Sequence, residues 1–337
     1  MMTDPVLVEV TRGDVVESVH QGALAVVDAD GAEVLVLGDV DRPVFPRSAV
    51  KVIQALPLIE SGAADRYGLT DDELSLACAS HSGEPQHAET AARMLARAGR
   101  EPGCLECGAH WPMGQEAARA LARSGAEPTP LHNNCSGKHA GFICAACAME
   151  VDPAGYIEPG HALQREVKAA MEALTGFAHR DELRGTDGCS IPTYAVPLRA
   201  LARAFARIGT GTGLTRERAA AFARLRAAVA AHPFMVAGTG RFDTILMEAL
   251  GARAFVKVGA EGVYCAAFPE LGLGIALKCD DGAARAAEVA MATLVERFLP
   301  LSAQEAEAVA ALSRPQMRNW NGRLVGIMRP AAALAGG

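Results

Sequence analysis

FPRSAVKVIQALPLIE, residues 45–60, is where the sequence changes character. Its apolar positions predict a helix over 48–62, with Ser48 in the first turn as a cap. Lys51 stands three residues after Ser48, at the head of this otherwise apolar helix. A charged amine entering a core is costly to bury, so something must offset that cost or use it. Residues i and i+3 share a helix face, which places the Ser48 hydroxyl near the Lys51 amine. A helix N-terminus also favours developing negative charge. Lysine normally titrates near ~10.4, so a base working near neutral pH needs a drop of roughly three units, about 4 kcal/mol. Desolvation and a second nearby cation both push that way. The plain alternative is a capping serine followed by a lysine that snorkels to water.

Outward from this stretch the pattern differs on the two sides. Upstream, residues 6–40 alternate in VLVEV, VVESV and ALAVVDADGAEVLVLGD, and the DADG turn signals a hairpin. About three antiparallel strands are predicted there. Downstream, Ala-rich segments between Gly/Pro loops predict helices at 48–62, 70–79, 86–99, 114–124, 138–149, 160–175, 191–207, 214–231 and 240–250. Strands return in ARAFVKVGAEGVYCAAFPELGLGIALKCDDG, with turns at GAEG and PELG. Helices follow at 282–299 and 302–312, and RLVGIM forms a last strand. This order predicts an α+β fold: one antiparallel sheet built from both chain ends, with flanking helices and an inserted, mainly helical lobe. The lobes are 1–47 with 251–337, and 48–250, with the active site between them. Two sequential domains are the alternative, but neither end alone supplies a sheet of sensible width.

Composition narrows the function classes. Half of the 337 residues are hydrophobic and the formal net charge is −7. That balance argues against a nucleic-acid groove, which needs a basic stripe. No apolar run reaches membrane-spanning length. MMTDPVLVEV lacks the basic and apolar regions of a secretory signal. Nine cysteines, an odd number without a framework spacing, point to free buried thiols. The chain therefore reads as cytoplasmic.

Only five of the 32 basic residues are lysines, at 51, 138, 168, 257 and 278. Arginine cannot lose its proton in a protein and lysine can, so each lysine is a candidate base. Lys168 lies on a polar helix face and reads as solvated. Lys257 falls in a Lys-x-Gly tripeptide at the end of a predicted strand. Ser-x-x-Lys on a helix paired with Lys-Thr-Gly on a strand marks the penicillin-recognising and serine β-lactamase enzymes; here Val258 replaces the threonine.

HNNCSGKHAGF, residues 132–142, crowds Cys135, Lys138 and His139 into five positions, and RGTDGCSIPTY adds Asp187 and Cys189. Two thiolates with nitrogen donors suit a soft divalent metal, zinc first. Spacing points to His139 as the third ligand. Two Cys-x-x-Cys pairs, 104–107 and 144–147, lie too far apart for a zinc ribbon, and neither follows a strand as a thioredoxin-like site requires.

Taken together, PRSAVKVIQALPLIESGAAD, CASHSGEPQH, LECGAHWPM, HNNCSGKHAGF, GTDGCSIPTY and AGTGRFDT resemble the motifs of the rhizobial-type L-asparaginases, the third structural class, collinearly over residues about 5 to 330. The resemblance implies a homodimer with a fold similar to serine β-lactamases and glutaminases, hydrolysing L-asparagine to L-aspartate and ammonia. It implies two serine–lysine tandems, Ser48 with Lys51 and Ser80 with Lys257, Lys278 being the rival of Lys257. It implies a Zn2+ ion on Cys135, Lys138 and Cys189, which displaces His139 to a substrate contact. Arg47 would hold the substrate carboxylate, and Asp187 the amine or the metal shell. Neither a membrane nor nucleic acid enters as a partner. The rival readings are a glutaminase or β-lactamase using the same Ser–Lys chemistry, and a non-catalytic, zinc-stabilised sensor of amides or lactams.

Overall fold

The structure, a computed structural model, describes residues 4–336. Residues 1–3 of the expected first lobe, and Gly337, lie outside the described residues. Two compact units form. One takes the residues up to Ala49, Val196–Thr210 and the residues from Val256 onward; the other takes Val50–Ala195 and Gly211–Phe255.

The first unit is built on an eight-stranded sheet: β1 (Val6–Arg12), β2 (Val15–Asp28), β3 (Glu33–Leu37), β4 (Phe255–Gly259), β5 (Val263–Phe268), β6 (Leu273–Cys279), β7 (Gln316–Arg318) and β8 (Leu324–Pro330). The order is β7-β8-β1-β2-β6-β5-β4, with β3 branching from β2, and β7–β8, β8–β1, β1–β2, β2–β6, β6–β5 and β2–β3 pair antiparallel. Both chain ends thus share one sheet, as the order of segments predicts. VVESV and ALAVVD do not form separate strands; they merge into the 14 residues of β2. Its first half pairs with β1, and its second half with β3 on one side and β6 on the other. Residues 23–27 are fully buried because both sheet faces are covered. The helix Leu198–Thr210 packs on β2, β5 and β6, and the helix Ala284–Phe298 packs on β1, β5, β6 and β8.

The second unit is helical. Its core is the helix Ser136–Ala148, whose first eleven residues are all buried. A helix without a polar face belongs inside, and this one is surrounded by Asp71–Ala77, Pro85–Arg97, Ala162–Thr175 and the short helices Leu56–Glu60 and Ala63–Arg66. Its polar N-terminal turn is carried into the core with it.

Two predicted helices are corrected. Residues 48–62 do not form one rod but a 3-10 turn at Arg47–Val50 followed by Lys51–Gln54 and Leu56–Glu60. Pro57 has no N–H to offer Ile53, and the helix breaks at Ala55. The helix expected over 191–207 starts only at Leu198, because Pro192 and Pro197 hold the preceding residues in the short strands Pro192–Tyr194 and Val196–Pro197.

Candidate active site

The amine of Lys51 is buried, the residue being 1% exposed. It donates to the carbonyl of Ala79, to Cys135 Sγ at 3.1 Å and, at 3.5 Å, to the carbonyl of Asn134. All these acceptors lie in the helical unit. The side chain therefore does not snorkel; it crosses the core to the loop that follows the helix Asp71–Ala77 and to the start of the helix Ser136–Ala148.

Those two segments are brought together by a missing side chain. A Cβ at Gly137 would stand 2.3 Å from Leu76 Cγ and 2.5 Å from the Leu76 carbonyl. We expect Gly137→Ala to cost about 1–3 kcal/mol of stability, as overpacked cores do, measured by denaturant unfolding; an unchanged midpoint would contradict this packing.

Cys135, Lys138 and Cys189, the three metal donors the motifs suggest, do meet. Lys138 Nζ donates to Cys189 Sγ at 3.0 Å, and all three residues are at most 5% exposed. Hydrogen bonding with Cys189 draws the pKa of Cys135 well below the usual thiol value, against the opposing effect of burial and with help from the Lys51 and Lys138 charges. The same bond, with burial, raises Cys189. Burial alone would lower Lys138, but the two sulfurs and Asp187 raise it instead. Two polarisable sulfurs and an amine in mutual contact fit a soft metal ion once the amine gives up its proton. No group of three His, Cys, Asp or Glu that could hold a metal ion occurs among the described residues.

Ser80 follows Ala79, the residue that holds Lys51. Its N–H donates to the Val236 carbonyl at 2.9 Å. Its hydroxyl is buried without a hydrogen-bond partner, an arrangement that proteins seldom keep without use. His81 Nδ1 accepts the Gly83 N–H at 3.1 Å, so the ring carries its hydrogen on Nε2, which donates to Ser136 Oγ at 2.9 Å. His87 repeats the scheme between the Glu84 N–H and the Phe234 carbonyl. The His81, His87 and Phe234 rings stack at 4.8 and 4.7 Å.

Burial, aided by the His87 and Lys51 charges, holds His81 well below its usual value, and burial lowers His87. Each folded-state pKa lies below the unfolded value of about 6.5. The associated stability is therefore complete above that pH and is lost as pH falls beneath it, by up to about 1.4 kcal/mol per unit for each ring. Unfolding curves at successive pH values below neutrality should show the decline, and a pH-independent stability over that range would contradict it.

The remaining candidates lie on several elements. His139 is fully buried, and its Nδ1 is bonded at 2.7 Å to Tyr156 Oη, which in turn accepts the Glu106 N–H at 2.9 Å. Burial, then the Lys138 and Lys51 charges, keep the ring neutral. Asp187 closes the turn between Arg184–Thr186 and Pro192–Tyr194. In the sheet unit, Ser48 is half-buried in its 3-10 turn, and Arg47 before it has φ +50°, a left-handed conformation that is costly for a residue with a side chain. Lys257 is fully buried on β4 and donates to the Val258 carbonyl at 2.9 Å. Gly259 ends its tripeptide against this segment: a Cβ there would lie 2.4 Å from the Pro46 carbonyl and 3.2 Å from the Ala49 nitrogen. Lys278, the rival, spends its amine on the Glu261 and Cys279 carbonyls at 2.7 and 2.5 Å.

Two supporting residues escape the sequence reading. Asn133, 4% exposed, donates to the Cys107 and Gly108 carbonyls and accepts the Cys135 N–H at 2.8 Å, fixing the loop that presents Cys135. Tyr156 lies in a Gly/Pro-rich loop with no motif around it. Asn133 was readable as a turn former, but its partners lie about 25 residues away in the chain.

The family model described as L-asparaginase II matches residues 8–330. No curated protein matches the chain. Among solved structures, the crystal structure of a "putative beta-lactamase" from Bacteroides dorei is similar at 16% identity, covering 77% of this chain and 84% of that one, with a TM-score of 0.38. No helix among the described residues is long and apolar enough to cross a membrane. With the family match running through nearly the whole chain, from β1 to the end of β8, the protein belongs to the L-asparaginase II family.

Proposed function

We propose that this chain hydrolyses L-asparagine to L-aspartate and ammonia by serine–lysine chemistry, as a homodimer. One observation carries the reading: the buried amine of Lys51 is anchored on the carbonyl of Ala79, the residue that precedes Ser80, whose own hydroxyl is buried without a hydrogen-bond partner. A family match alone supports an amidohydrolase; this amine supports the type of catalysis.

In the proposed reaction Lys51, in its neutral form, takes the hydroxyl proton of a serine while the oxygen attacks the side-chain amide carbon. The C–O bond forms, and the carbonyl electrons move onto oxygen, where backbone N–H groups stabilise them. The tetrahedral adduct collapses with cleavage of the C–N bond, and the proton held by Lys51 leaves with ammonia. Water then hydrolyses the acyl-enzyme. Two serines compete for the attack. Ser48 sits one turn before Lys51, and Ser80 beside its anchor; the orphaned hydroxyl favours Ser80. Lys257 would then serve the second tandem, its burial favouring it over Lys278, whose amine is spent on a turn. We assign substrate contacts to Arg47, His139 and Asp187.

Cys135, Lys138 and Cys189 would hold a zinc ion. When bound, the ion supplies positive charge that orients polar groups of the substrate. Cys189 and Lys138 keep Cys135 ready as a thiolate donor, and Asn133 fixes its backbone.

Ammonia release from asparagine against glutamine, together with hydrolysis of a chromogenic β-lactam, tests the reading. Turnover of asparagine well above the other two is expected. Faster turnover of either other substrate would transfer the protein to that activity. No turnover of any, with zinc supplied, would favour the amide or lactam sensor. Light scattering on a sizing column should give twice the chain mass.

A further inference from the structure

The helical unit carries a second recess that the proposed chemistry does not use. It is a groove of about 710 Å³, within the range of small-molecule sites. Pro233, Phe234, Met235 and Met247 give it an apolar floor. Its charged lining is Asp72, Glu89, Arg93 and Glu248, with His232 at the side. Arg93 is already neutralised, because it donates to Asp72 and, at 2.8 Å, to the buried Glu73. Glu89 and Glu248 have no ion-pair partner among the described residues. An apolar lining together with two solvent-exposed carboxylates outside any ion pair is complementary to a cation attached to an apolar body.

The floor is also mechanically tied to Ser80. Phe234 and Met235 belong to the five-residue helix Pro233–Ala237. Its next two carbonyls hold the catalytic loop: Val236 accepts the Ser80 N–H at 2.9 Å, and Ala237 accepts Ser82 Oγ at 2.7 Å. Phe234 further bears on His81 through the His87 ring, at 4.7 and then 4.8 Å. A ligand resting on Phe234 and Met235 therefore presses on a segment whose far end fixes the Ser80 backbone.

We propose that this groove binds a small organic cation, an ammonium group on an apolar body, and that its occupation alters catalysis through the helix Pro233–Ala237. The binding half is independent of the proposed function; the transmission half rests on Ser80 serving catalysis.

Benzylammonium is the probe, titrated by calorimetry into the full-length protein and into the double variant Glu89→Gln/Glu248→Gln. We expect one saturable site, weakened at least about tenfold in the variant and by added salt. We further expect a shift of about twofold or more in kcat or KM for asparagine in the parent protein, absent in the variant. No saturable binding up to about 10 mM, equal binding in the variant, or displacement by saturating aspartate would overturn the site. Binding with unchanged kinetics in an enzyme that does hydrolyse asparagine would overturn the transmission. Should asparagine not be hydrolysed, the proposed function fails by itself. Calorimetry then still decides the site, and the imidazole NMR signals of His81 and His87 decide transmission: shifted signals support it and unmoved ones refute it.

Discussion

Lys51→Met is expected to lower kcat for asparagine hydrolysis by at least about a thousandfold, or about 4 kcal/mol of transition-state stabilisation. Methionine fills much of the same space but cannot take a proton. The loss should appear in kcat, because the amine is proposed to act on the reacting oxygen rather than to bind substrate. The substitution also leaves the Ala79 carbonyl without the buried donor it now has, at a cost of about 1–3 kcal/mol in stability. Activity must therefore be compared at a temperature where the variant is shown by circular dichroism to be folded. Ser48→Ala and Ser80→Ala belong in the same series. The serine that attacks should fall as far as Lys51→Met, and mass spectrometry of the enzyme quenched during turnover should find the acyl group on that residue. Retention of more than about a tenth of the activity by Lys51→Met would remove the base from the mechanism.

Cys135→Ala should abolish metal binding. The parent protein is expected to hold zinc stoichiometrically, and the variant to bind it more than about a hundredfold more weakly. That exceeds what losing a mere supporting residue costs. Elemental analysis after dialysis reads the result without any assay of activity. Cys144→Ala is the control: Cys144 lies on the same helix but gives its thiol hydrogen to the Met94 carbonyl, at 3.4 Å, and its loss should leave zinc in place. Stoichiometric zinc in Cys135→Ala would rule the site out. A parent protein that takes up no zinc would leave the two sulfurs and Lys138 as a structural cluster only.

Much of this molecule was legible along the chain because the information is local. Alternation over residues 6–40 and the short apolar runs near 255–279 give strands, and burial on both sheet faces explains why VYCAAF and ALAVV are so apolar. The helical insert follows from 3.6-residue periodicity, and its two errors fall at prolines 57, 192 and 197, where a missing donor or a restricted backbone outweighs the apolar pattern. HNNCSGKHAGF announced polar chemistry because lysine and histidine stand in a helix otherwise without a polar face.

Sequence by itself determined the sheet from both chain ends, the helical insert, and the short set of lysines, cysteines and serines from which a site can be made. Only the tertiary structure decided which of them meet. Spacing joined Lys51 to Ser48, three residues away; to this packing adds Ala79, 28 residues on, and Cys135, 84 residues on, as partners of its amine. Spacing offered His139 to the metal, whereas Tyr156 takes that ring and Lys138 reaches Cys189, 51 residues away. The physical reason is that helical periodicity fixes only which face a side chain leaves from. Its partner depends on how closely two helices can approach, and here that distance is set by the absence of a single Cβ at Gly137, against Leu76.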